Sequence, residues 1–430
     1  MKEVCGSIMK IAHIADTHFG KDLKKINFAD YDQPFWLEKF LEDIQKEQVE
    51  VVLMAGDIYD DKIQPIKAIN LFGTFLERLN DLNITVFIVP GNHDQADRLA
   101  ANSKLLQKQN IYFANELTRE LVHKALPLAS GTEVNFWLLP YVEPLNVRRV
   151  LGRDDITSYD SAVRELLRKQ PLNTEDVNII VAHQNVLAGA TERILNDHEV
   201  DIGYSGEVDY TAFDGFDYVA LGHIHGMQAI GRDRVRYAGA PLQYDFSEEG
   251  RKKGYLLIEI NGKNELKITE KQLPLPHEVM VLPKGVPAAT LEELLEMGKQ
   301  INDKEKYYFK VRIWNSSLVG KAQEQLYAVF GQNNLLETEI VREGASSYAI
   351  ANAKGSSGRT LEENFAYFYK DRNKQELDAK GRLVVAKIIE QQQNDGYIGA
   401  MGTGSEKEAY KQAAFAKLIA ALEEELEDEA

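Results

Sequence analysis

The chain has 430 residues, 50 of them Lys or Arg and 67 Asp or Glu, for a formal net charge of −17. That length suits two or three domains with a sizeable core in the first. No apolar run is long enough to span a bilayer, no signal-peptide pattern opens the sequence, and the single cysteine, Cys5, excludes an internal disulfide, so a cytoplasmic protein without membrane contact is expected. Residues 1–250 hold 25 basic against 39 acidic side chains, which argues against strong unaided binding to nucleic acid.

Taken in chain order, residues 8–15 form a short apolar run that ends at Asp16-Thr17-His18, followed by Lys21, Lys24 and Lys25. Met9-Lys10-Ile11 looks like a domain start, leaving residues 1–8 as an extension without obvious function. An amphipathic helix is predicted over 35–46, with Trp36, Phe40 and Ile44 on one stripe. The run 49–55 ends at Gly56-Asp57-Ile58-Tyr59-Asp60. A second helix, 65–79, opens on Pro65, as helix entry favours. The runs 84–89, 177–182 and 216–221 then lead into Gly91-Asn92-His93-Asp94, into His183-Gln184 and into Gly222-His223-Ile224-His225. Each run is short and rich in β-branched residues, so each is a predicted strand.

Taken singly, these motifs are turn chemistry: Gly-Asp and Gly-Asn pairs tolerate positive φ, and a lone His at a strand end is commonly a rim residue. His-x-His is more specific, because alternate residues of an extended segment point to one side. Five turns that all end in ligand-type side chains, at the carboxyl ends of strands where α/β sheets carry their sites, point to one metal centre. Two cations about 3.5–4 Å apart need some seven hard or borderline ligands and a bridging carboxylate, and these motifs hold that inventory. The alternation of strands and helices predicts an α/β layered sandwich. Arg148, Arg149 and Arg153 fall on a predicted loop, and Arg232, Arg234 and Arg236 follow the His-x-His pair. Asp94 is expected to be structural, and His13 to pack in the rim of the core.

After residue 272 the pattern changes. Residues 277–350 combine a helix over 291–301, an alternating strand over 307–314 and a helix over 321–330. Lys354-Gly355-Ser356-Ser357-Gly358 reads as a linker before a helix opened by a Thr360 and Glu363 capping box, bearing Leu361, Phe365, Phe368 and Tyr369. A second apolar helix is predicted over 381–390; short apolar helices of this kind suit a partner. Residues 394–430 read as a glycine-rich flexible linker and an acidic last helix.

The order and wording of the motifs resemble the calcineurin-like metallophosphoesterases, and more narrowly the SbcD-type DNA repair nucleases. Phe213-Asp214-Gly215-Phe216-Asp217-Tyr218, Gly239-Ala240-Pro241-Leu242-Gln243-Tyr244 and Lys252-Lys253-Gly254 share in the likeness, which is tight over residues 9–260. The resemblance implies that Asp16, His18, Asp57 and His225 hold one cation and that Asp57, Asn92, His183 and His223 hold the other, with Asp57 bridging and Mn2+ the expected metal. It implies that His93 stabilises the transition state or protonates the leaving oxygen, a role that an imidazole suits. Asp60 would orient His93 through its carboxylate. It further implies a nuclease domain over 9–272, a small α/β capping domain over 277–350 and a helical partner-binding region over 359–393 that docks on an SbcC-type coiled-coil ATPase. A homodimer within a heterotetramer, acting on DNA ends and hairpins, is the expected assembly, with Lys21, Lys24 and Lys25 touching DNA. A small-substrate phosphodiesterase or a protein phosphatase on the same site is the alternative, and a metal-free scaffold the third.

Overall fold

The computed structural model describes residues 8–114, 117–188, 206–315 and 321–342, with Glu376, Gly381 and Arg382 beyond them. The chain divides into two units, Met1–Glu343 and Gly344–Ala430. Leu361, Phe365, Phe368, Tyr369 and the last predicted helix lie outside the described residues.

Two six-stranded sheets form the centre of the first unit. One runs in the order Glu265–Gln272, Gly254–Gly262, Met9–Ile14, Val51–Ala55, Thr85–Val89, Ile111–Phe113. The other runs Gln228–Ile230, Arg232–Tyr237, Tyr218–Gly222, Val177–His183, Glu133–Leu139, Val122–Pro127. Pairing is parallel in the middle of each sheet and antiparallel toward edges that hairpins complete. Strands buried on both faces need apolar residues at consecutive positions. Val51, Leu53, Phe87 and Val89 accordingly pack against Phe136, Leu138, Ile179 and Val181 between the sheets, while Val52, Met54, Val86 and Ile88 face the other way.

Helices cover both outer faces. Asp32–Glu47 buries Trp36, Phe40 and Ile44, and Ile66–Asp81 buries Phe72, Phe75 and Leu79, spacings of three and four residues that make one apolar stripe. On the second sheet Pro144–Leu151 and Tyr159–Leu167 supply Val147, Val163 and Leu166. The result is a four-layered α/β sandwich. Arg148 and Arg149, expected in a loop, sit in the first of these two helices: Pro144 opens it, and Gly152, at φ 66°, closes it in the left-handed conformation that glycine adopts without cost.

A smaller parallel sheet follows, in the order Glu278–Leu282, Tyr307–Trp314, Leu335–Val341, with Leu291–Gln300 and Ala322–Phe330 as its crossover helices. Leu294, Phe309, Val311, Ile313, Leu326 and Phe330 form its core. Both helices and the middle strand match the sequence expectation; the two flanking strands do not appear in it. The sheet rests on the sandwich through Asp32, whose carboxylate meets His277 Nδ1 at 2.8 Å and accepts from the Tyr308 hydroxyl at 2.9 Å.

His13 lies deeper than the rim: it is fully buried, with Nδ1 2.9 Å from the Tyr218 hydroxyl. Burial pushes its pKa down from 6.5 to about 3, so the folded chain holds the imidazole neutral. A base depressed on folding contributes stability that is complete above its unfolded pKa and declines as the pH falls below it. Metal-free protein should therefore lose up to about 1.4 kcal/mol for each pH unit below 6.5 on account of this residue. His13→Asn, compared with wild type by denaturant unfolding from pH 7 to 4, should flatten that slope; parallel slopes would contradict the assignment.

Candidate metal centre

The five ligand-bearing turns meet where the carboxyl ends of the two sheets' central strands converge. Main-chain bonds fasten the first turn to the second: Asp16 N–H donates to the Gly56 carbonyl at 3.0 Å, His18 N–H to Asp57 at 2.9 Å and Phe19 N–H to Ile58 at 2.8 Å. Asp94 fastens the second to the third, its carboxylate accepting from the N–H groups of Ile58, Tyr59 and Gly91 at 2.9–3.0 Å. The His223 N–H donates to Asp16 Oδ1 at 2.9 Å, bringing in the fifth turn from the second sheet.

Such convergence leaves no room for side chains at the crossing points. A Cβ on Gly91 would lie 2.0 Å from Asp57 Oδ1, and one on Gly222 would lie 1.8 Å from the Ala55 carbonyl oxygen. The expected ligands themselves carry the backbone cost, with φ of 52° at Asp16, 41° at His18, 48° at Asp57 and 104° at His223. Non-glycine residues in that region are sustained only where their surroundings over-determine them, as at functional sites.

Asp57 is the centre of the cluster. Its Oδ1 accepts from the His93 N–H at 2.9 Å, while Oδ2 lies 3.3 Å from His183 Nε2 and 3.7 Å from His18 Nε2. On one side, His183 Nε2 and His223 Nδ1 approach Asn92 Oδ1 at 3.0 and 3.2 Å, and the Ala55 carbonyl holds His183 Nδ1 at 2.8 Å. On the other, the Nε2 atoms of His18 and His225 face each other at 3.3 Å beside Asp16. Among the described residues, three groups have donor atoms close enough to hold a cation: Asp16, His18 and His225; Asp16, Asp57 and His183; and His18, Asp60 and His93.

The electrostatics show how strongly the buried carboxylates draw positive charge. Burial pushes Asp16 up to about 6. Burial also works against an ionised Asp57, yet His183, His18 and His93 hold it well below the usual carboxylate range. His183 moves in step: burial lowers it, but Asp57 and Asp16 lift it to about 9. Burial brings His18 down to about 4, and burial together with the neighbouring His183 brings His223 to about 3, so both are neutral donors at physiological pH. Asp16 Oδ2 is buried without a hydrogen-bond partner. Neutral imidazoles, converging carboxylates and an unpartnered buried oxygen fit divalent cations of the manganese, iron or zinc type.

Asp60 contacts His93 differently from expectation. Its main-chain carbonyl, at 2.7 Å, takes His93 Nδ1, while its carboxylate lies 3.2 Å from His18 Nδ1 and 2.7 Å from Lys21 Nζ. His93 itself is exposed at the rim of the cluster. The three lysines expected at DNA are held within the chain: Lys21 by Asp60, Lys24 by Glu337 at 2.8 Å and Lys25 by the Gln332 carbonyl. Lys24 and Lys25 thereby reach the small sheet, while Lys21 stays with the second turn. Arg232 donates to the carbonyls of Phe213 and Phe216, and Arg236 pairs with Asp233 and Glu270.

Sequence reasoning missed the residues that support the ligands. Gln33 donates to the carbonyls of Thr17 and His18 at 3.1 and 2.8 Å, and the Tyr244 hydroxyl donates to the Thr17 carbonyl at 2.5 Å. Glu248 Oε1 meets His225 Nδ1 at 2.9 Å. Gln33 had no local signal beyond being a polar residue near the start of an apolar helix.

Because Asp94 satisfies three buried N–H groups, Asp94→Ala should cost about 1–3 kcal/mol for each donor left stranded. Thermal unfolding of the metal-free protein would measure it, and a loss under about 1 kcal/mol would refute the role.

The profile of the Calcineurin-like phosphoesterase family matches residues 9–227. The chain is 29% identical over 372 residues to a protein of Staphylococcus epidermidis named as the SbcD subunit of the nuclease SbcCD, covering 86% of this chain and 95% of that one. It is 33% identical over 309 residues to the protein of the same name from Staphylococcus saprophyticus, covering 71% and 78%.

Proposed function

We propose, from the premise that this chain belongs to the calcineurin-like phosphoesterases and among them to the SbcD nuclease subunits, that it hydrolyses DNA phosphodiesters at double-strand ends and hairpins with two divalent cations. Mn2+ is the metal proposed. The observation that carries the two-cation reading is the position of Asp57 Oδ2, within 3.7 Å of His18 and 3.3 Å of His183. One carboxylate oxygen thereby borders two donor sets, Asp16, His18 and His225 on one side and Asn92, His183 and His223 on the other. When bound, the cations supply Lewis acidity, neutralising phosphate oxygens and acidifying the attacking water.

The chain's own residues do the rest. Asp57 serves both sets, and its hydrogen bond from the His93 N–H fixes the turn on which the His93 ring is carried. With Nδ1 donating to the Asp60 carbonyl, the exposed His93 ring keeps Nε2 for the substrate, and as an imidazolium it stabilises the transferring phosphoryl group or gives its Nε2 proton to the leaving oxygen. The Asp60 carboxylate lies beside His18 instead, 3.2 Å from Nδ1.

Assembly follows the relatives' printed name. We assign the chain as the nuclease partner of an SbcC-type coiled-coil ATPase, with residues 359–393 as the docking region and Leu361, Phe365, Phe368 and Tyr369 as contacts. The net charge of −17 favours DNA binding shared with such a partner. Ile63, just before the helix Ile66–Asp81, and Ile66 and Ile69 within its first turns are exposed apolar side chains. They support a homodimer within the heterotetramer.

A manganese-dependent nuclease assay on double-stranded ends and hairpins tests the reading, with Asp57→Ala and His93→Ala beside wild type. Asp57→Ala should lose both cation binding and cleavage. His93→Ala should bind cations normally and cleave about 10²–10⁴-fold more slowly. Wild-type cleavage by His93→Ala would remove the catalytic role, and hydrolysis of a bis-aryl phosphodiester without any DNA cleavage would favour a small-substrate enzyme.

A further inference from the structure

Behind His225 lies a charged pair that the reaction as described does not use. Glu248, in the short turn Phe246–Glu248, and Lys253, just before the strand Gly254–Gly262, have side chains 0% and 1% exposed. The Glu248 carboxylate spans two partners, His225 Nδ1 at 2.9 Å through Oε1 and the Lys253 ammonium through Oε2. Lys253 Nζ also donates to the His225 carbonyl at 3.1 Å, and the Ala240 N–H donates to that carbonyl at the same distance. His225 is therefore gripped at both its ring and its main chain by one buried ion pair.

A buried ion pair is a poor device for stability, because desolvating both charges consumes most of what their attraction returns. Its position offers a different use. With Nδ1–H committed to Glu248, His225 can present only Nε2 to His18, 3.3 Å away, and to Asp16. The carboxylate makes the imidazole a stronger donor, and the ammonium beyond it keeps the net charge behind the ring near zero.

We propose that Glu248 and Lys253 are positioning residues for the cation subsite built from Asp16, His18 and His225, setting the affinity of that subsite and not of its neighbour. The inference rests on the two-cation reading above. Glu248 fixes which nitrogen of His225 faces the cation, and Lys253 fixes where the His225 main chain stands. The second subsite, with His183 held by the Ala55 carbonyl, has its own orienting group and is independent of the pair.

Titration of the metal-free full-length chain with Mn2+, followed by calorimetry and by the electron paramagnetic resonance of free manganese, separates the two subsites. In wild type two binding steps are expected. Glu248→Gln keeps the shape and an acceptor oxygen but removes the charge, and should weaken one step about 10–100-fold while leaving the other unchanged. Because that neutral amide would leave Lys253 buried without its counter-charge, Glu248→Gln combined with Lys253→Met provides a charge-neutral background. Its melting temperature should match wild type, with the same single step weakened. Two unshifted steps in both variants would overturn the proposal while leaving the two-cation reading standing. Equal weakening of both steps would overturn it too, by making the pair a support of the whole fold. No manganese binding by wild type would instead remove the reading on which it rests.

Discussion

The whole centre depends on one buried carboxylate that serves two groups of neighbours at once. Asp57 is 3% exposed, and its two oxygens are divided between the His93 N–H and the ring nitrogens of His18 and His183. A carboxylate in that position is tolerable only among positive or strongly donating groups, so turns from both sheets must come close enough to supply them. The rest follows from that demand. Glycine is required at 91 and 222 because any side chain there would strike Asp57 or the Ala55 carbonyl, and Asp16, His18 and His223 accept unfavourable backbone angles to reach it.

Much of this was legible in the sequence because ligand chemistry is written in short local words. Asp16-Thr17-His18, Gly56-Asp57, Gly91-Asn92-His93-Asp94 and His223-Ile224-His225 each follow an apolar run, and strand ends are where an α/β sheet exposes its turns. The layered α/β sandwich was legible for the same reason, since strands buried on both faces leave continuous apolar runs. What the sequence did not disclose is long-range. Gln33 and Glu248 act on residues 15 and 23 positions away with nothing local to mark them, and Tyr244, though it ends a stretch that shares in the likeness, acts on Thr17 across 227 positions. Two strands of the small sheet also escaped notice. Leu335–Val341 carries Glu337 and the exposed Glu339 among its apolar residues and becomes a strand through its pairing with Tyr307–Trp314, which Glu278–Leu282 flanks on the other side.

Charge is distributed with a purpose that composition alone conceals. The acidic excess of the first 250 residues includes carboxylates sealed inside the metal centre, which contribute little to the outer field once matched by cations. Conversely, Lys21, Lys24 and Lys25 form a basic cluster on paper, yet Lys21 and Lys24 are paired with Asp60 and Glu337, and Lys25 donates to the Gln332 carbonyl. A surface estimated from residue counts would be wrong in both directions.

The start of the helix Asp32–Glu47 places two adjacent residues back to back. Asp32 holds His277 and Tyr308 of the small sheet, and Gln33 holds the carbonyls of Thr17 and His18. Consecutive side chains on a helix share one rigid backbone, so these two grips form a lever with the helix as its fulcrum. The small sheet cannot tilt at Tyr308 without loading the turn that carries His18. Any load on the small sheet is thus passed to the turn of His18 through one shared helix, without direct contact between the two.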